Sequence, residues 1–119
     1  MVDDKTKEYL LAQAKAFEAA RDAVVQHQKI LEQHRFDAKR IELQVKAAVA
    51  TDKDPTTSKP AFSNETLREA ETARRLSTDQ QFTMLQGAIG GEEDAISELM
   101  GTMDIIKTNL KVWDIITRP

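Results

Sequence analysis

The chain has 119 residues, a formal net charge of −3, 31% charged and 5% aromatic residues, and no cysteine. That length suits one domain, and the balance of charge gives no general affinity for nucleic acid or an anionic membrane. Disulfides, thiolate nucleophiles and Cys-ligated metals are excluded, and the frequent Ala, Leu, Glu, Lys, Gln and Arg favour helix over sheet.

The start, MVDDKTKEY, is charged and has no apolar core of the kind a secretory signal carries. No apolar run approaches the roughly 18 residues of a membrane span. The expected location is cytoplasmic, without a membrane span.

Helical spacing without Pro or Gly predicts one helix over about 4–50. An apolar residue returns every seven positions at Leu10, Phe17, Val24, Leu31, Ala38 and Val45. Three residues after each stand Gln13, Ala20, His27, His34, Ile41 and Ala48. This is a heptad seam with one strong and one mixed column. Tyr9, Ala16, Ala23 and Ile30 widen it on one side. A helix of this length runs for about 70 Å and is not stable alone, so its apolar face needs a partner. His27 and His34 stack seven apart, a spacing that does not converge on one metal ion. They read as a polar layer that fixes register, with a pH-responsive seam as the sharper alternative.

Residues 51–63, TDKDPTTSKPAFS, form the expected loop, because Pro55 and Pro60 exclude helix continuation. Ser63 is placed to cap the next helix, with Phe62 and Leu67 as a hydrophobic staple and Glu65 and Glu69 at its positive end. That second arm is expected as helices over about 64–87 and 92–116, kinked or broken near Gly87–Gly91, where Gly90 and Gly91 precede Glu92, Glu93 and Asp94. The beginning of the arm is poor in core residues. Its end is rich, with Ile96, Leu99, Met100, Met103, Ile106, Leu110 and Trp113 on one face and Ile105, Val112 and Ile116 nearly opposite. Two apolar sides imply two neighbours, and a hairpin supplies one.

The expected fold is therefore all-α: a long antiparallel, coiled-coil-like hairpin completed as a helical bundle by oligomerisation. A fold-back near residue 57 places Tyr9, Leu10 and Phe17 against residues 96–106, and His27 against Gly87. The first arm (Asp4 to Ala50) carries nine basic and seven acidic residues and the second (Asn64 to Ile116) five and ten, so their charges are complementary. The loop end is expected to be thinly packed and mildly basic.

No zincin pair, nucleophile elbow, dinucleotide loop or di-iron Glu-x-x-His signature is present, so no catalytic, cofactor or metal residue is assigned. The leading functional expectation is a non-enzymatic scaffold, adaptor or assembly subunit. It would bind itself or a partner helix through Ile96, Leu99, Met103, Ile105, Ile106, Leu110, Val112, Trp113 and Ile116. The alternative is a nucleic-acid accessory protein that uses the basic loop end.

Overall fold

The computed structural model describes residues 3–117. Three helices, α1 (Asp4–Thr51), α2 (Glu65–Thr78) and α3 (Gln80–Thr117), follow one another along the chain. Among the described residues there is no strand, and the one isolated β-bridge, Lys53 to Pro60, lies in the loop. The fold is the expected all-α antiparallel hairpin, with α1 as the first arm and α2 and α3 as the second. The packing divides it into two units, one joining the residues up to Ile30 to those from Gly91 onward, the other formed by Leu31–Gly90.

In the first unit Ala20, Val24 and Ile106 are buried, with Leu10, Phe17, Ile96, Leu99, Met103, Leu110 and Trp113 half-buried around them. Tyr9 stacks on Trp113 with ring centroids 5.4 Å apart at 46°. Further in, the Lys107 ammonium lies 5.7 Å from the centre of the Phe17 ring. Then His27 meets Glu92. The pairing partners descend along α3 as they ascend along α1, which makes the segments antiparallel. This corrects the expected register: Tyr9 meets Trp113 rather than residues near Ile105, and His27 meets Glu92 rather than Gly87. The large rings at the open end and the His27–Glu92 pair settle the offset, since a half-buried imidazole gains more from a carboxylate than from a glycine.

In the second unit Leu31, Ala38, Ile41, Val49 and Ile89 are buried, with Val49 only 1% exposed. Ala48, expected in the seam, is exposed, and Val49 takes its place. An α-helix drifts by about 20° per heptad relative to a strict seven-residue repeat, so the inward position passes to the next residue late in α1. Ala16 and Ile30 are exposed, while Tyr9 and Ala23 widen the stripe as expected. Beside the loop the second arm adds little apolar surface: Leu67 is exposed and the buried residue of α2 is Thr72.

Polar contacts take over at that end. The Asp54 side chain accepts hydrogen bonds from the backbone N–H groups of Thr56 (2.8 Å) and Thr57 (3.3 Å). Ser58 turns the chain in the left-handed region, at φ 59°. The Ala61 N–H then bonds back to the Asp52 carbonyl at 2.9 Å. Arg75 bridges Asp52 and Glu71 and lies 5.8 Å over the Phe62 ring. Hydrogen bonds from Arg74, joined by those from Arg75, hold the Glu71 carboxyl below its ordinary pKa. Phe62 packs under Arg75, and Leu67, its expected staple partner, is exposed. The cap of α2 is Asn64 rather than Ser63, its side-chain oxygen accepting from the Leu67 N–H at 2.9 Å.

The second arm does break, but at Asp79 and not in the glycine segment, through which α3 runs as continuous helix. Asp79 ends α2 by donating its N–H to the Leu76 carbonyl (3.2 Å) and starts α3 by accepting from the Phe82 N–H (2.8 Å). Ser77 and Thr78 assist by turning their hydroxyls onto the Arg74 and Arg75 carbonyls. A good N-cap contributes about 1 kcal/mol, and at Asp79 it coincides with the hydroxyl bonds that take up the last carbonyls of α2, so stop and start signals meet at one residue. A Cβ added at Gly87, Gly90, Gly91 or Gly101 would meet nothing within 4 Å, so no close approach within the chain requires these glycines.

Two substitutions separate these effects in urea unfolding. Asp79→Ala is expected to lower stability by about 1 kcal/mol through loss of the cap. Gly87→Ala is expected to raise it by roughly 0.5–1 kcal/mol through helix propensity. The reverse order would show that the glycines, not Asp79, set the helix boundary.

Candidate interaction surface

The residues expected to form an oligomer interface divide between two sides of α3. Ile96, Leu99, Met103, Ile106, Leu110 and Trp113 turn toward α1 and are buried or half-buried within the hairpin. They are core of the single chain. Ile105, Val112 and Ile116 stand on the other side and are exposed, with Ile105 at 63%. Successive residues of a helix advance by about 100°, so this division follows from sequence position alone.

The outward side of α3 changes character along its length. Asp94, Glu98, Gly101, Ile105, Val112 and Ile116 share one exposed sector of the helix, and its charges, Asp94 and Glu98, are confined to the first part. The outward stripe of α1 over a comparable length includes Glu18, Asp22, Lys29 and Glu32. A helix face that meets only water is usually rich in charge, as α1 is there. The outward face of α3 is acidic and small in its first part (Asp94, Glu98 and Gly101) and aliphatic in its last.

A second apolar feature lies on α1 within Leu31–Gly90. Phe36, Leu43 and Ala47 line a shallow groove with Lys39, Arg40 and Gln44. Phe36 is 65% exposed and Leu43 54%. The heptad pattern does not single out this pair, because the strong column that contains Leu31, Ala38 and Val45 dominates the periodicity. The available signal was two large apolar residues seven apart, off the seam that the remaining positions already define.

The polar layer is half realised. His27 Nδ1 lies 2.5 Å from Glu92 Oε2, and both side chains are partly buried between α1 and α3. His34 is half-buried in the other unit, so the structure does not bring the two histidines into one site. Among the described residues no group of three or more His, Cys, Asp or Glu could hold a metal ion. No described helix is long and apolar enough to cross a membrane. The cations around the loop are largely engaged: Arg74 and Arg75 with Glu71, Arg75 also with Asp52, and Lys46 with Glu42 at 3.1 Å.

Comparison with protein-family models, curated proteins and solved structures yields no match for this chain.

The His27–Glu92 contact can be read by a mutant cycle. Glu92→Ala leaves the imidazole half-buried beside apolar side chains and is expected to cost about 1 kcal/mol. The double change His27→Leu/Glu92→Leu extends the apolar seam and is expected to match or exceed wild-type stability. Equal losses in the single and double variants, measured by urea unfolding, would contradict a polar layer kept at the expense of stability.

Proposed function

We propose that this protein is a non-enzymatic helical scaffold or assembly subunit that works by associating with further copies of itself through its outward helix faces. The observation that carries this reading is the division of α3. One side packs on α1, while Ile105, Val112 and Ile116 on the other side are exposed, with no covering element among the described residues. Exposed aliphatic residues scattered singly are ordinary, but a row of them at helical spacing is not. Burial of each such side chain contributes roughly 1.5–3 kcal/mol relative to exposure, enough for a few of them to hold two chains together.

The chemistry of the described surface supports a binding role over a catalytic one. Its carboxylates lie at helix-surface spacing, several of them paired with a lysine or arginine of the same helix, as in Glu42 with Lys46 and Glu71 with Arg74. Arg74 and Arg75 are held by Glu71 and Asp52, which leaves less free positive charge for a phosphate backbone.

Size-exclusion chromatography with light scattering tests the proposal. Wild type is expected to elute with a mass above that of one chain, and Ile105→Asp/Val112→Asp as a folded monomer with unchanged helicity. A double variant that still associates would remove this face from the interface.

A further inference from the structure

We infer that association is head-to-tail, with the outward face of α3 on one copy (Gly101, Ile105, Val112 and Ile116) docking into the Phe36–Leu43–Ala47 groove of α1 on a second copy. This rests on the self-association proposed above and adds which two surfaces meet.

Three observations favour a second copy as the occupant, and these two patches as the pair. The first is matched spacing. Phe36, Arg40, Leu43 and Ala47 are separated by four, three and four residues, and so are Ile105, Asn109, Val112 and Ile116. Two helices whose apolar rows share this alternation can interdigitate side by side. In that alignment the one polar member of each row, Arg40 and Asn109, falls at the same level.

The second is charge. The α1 groove has basic rims: the Lys39 and Arg40 side chains are 59% and 54% exposed, whereas their partners Glu42 and Asp37 are 30% and 26% exposed. These pairs are loose, at 3.6 and 3.8 Å, so the cations stand outermost. The α3 face is edged mainly by acid, with Glu98 and Asp104 outnumbering Lys111. Two α1 grooves facing each other would oppose like charges, and the α1–α3 combination opposes unlike ones.

The third is access. Gly101 has nothing within 4 Å of where its Cβ would stand, in the turn just before Ile105. A glycine inside a helix costs about 1 kcal/mol, and here it clears room for a bulky side chain such as Phe36 to lie against the α3 backbone.

Such a contact joins unlike surfaces, so it closes as a ring or a reciprocal dimer, or propagates as a filament. That makes it separable from a symmetric α3-to-α3 contact by mixing two variants. Ile105→Asp/Val112→Asp lacks the α3 face, and Phe36→Asp/Leu43→Asp lacks the α1 groove. All four residues are exposed, so each variant is expected to keep wild-type helicity by circular dichroism.

Light scattering is then read on wild type, each variant alone, and the two mixed in equal amounts. The expected result is that each variant alone is monomeric and the mixture recovers a two-chain species, because one intact face of each kind remains. A Phe36→Asp/Leu43→Asp variant that associates like wild type would overturn the head-to-tail pairing and leave self-association through α3 standing. A mixture that stays monomeric would also overturn the pairing. A monomeric wild type would overturn both the pairing and the self-association on which it rests.

Discussion

The structure depends on the need of one long helix for a partner along its length. α1 has 48 residues and a continuous apolar row, and in isolation that row would face water. Folding back the second arm covers it. The covering is one-sided on both helices, so the core is a single seam instead of a filled interior. Small buried residues such as Ala20, Ala38 and Val49 let the backbones approach at intervals. Larger contacts are spaced between them, the Tyr9–Trp113 stack and the Lys107–Phe17 contact among them.

The two ends of the second arm meet this requirement by different physics. Near the termini, aliphatic and aromatic side chains of α3 supply apolar surface. Near the loop, α2 has little to offer, and the Asp52–Arg75–Glu71 cluster with Phe62 under the guanidinium substitutes for it. Exposed ion pairs contribute little to stability individually, but a network that also orders the loop backbone defines where the chain turns. The Asp54 turn and the Asp79 cap act the same way, fixing the path by satisfying particular N–H groups.

Much of this was legible in the sequence, for reasons that also explain the misses. The extent of α1 and its inward columns follow from unbroken heptad spacing, and the two-sided character of residues 96–116 follows from helical geometry. The break in the second arm was not, because glycine is the louder signal. An aspartate that can both end one helix and begin the next is recognised only when its hydrogen bonds are seen. Register was also hidden, since it is set by pairs such as His27–Glu92 that lie far apart in the chain. The Phe36–Leu43 groove was obscured by the stronger column beside it, and its exposure became apparent only once α1 had been given its neighbour.

What remains after the hairpin closes is an outward surface that a solitary chain does not need: aliphatic at the end of α3, and apolar with basic rims on α1. The account stands on the claim that another copy covers it. Sedimentation equilibrium of the wild-type chain over a wide concentration range tests that claim most directly. A mass that rises with concentration to a multiple of 13.4 kDa is the predicted result. A mass fixed at that of one chain across the whole range would contradict it.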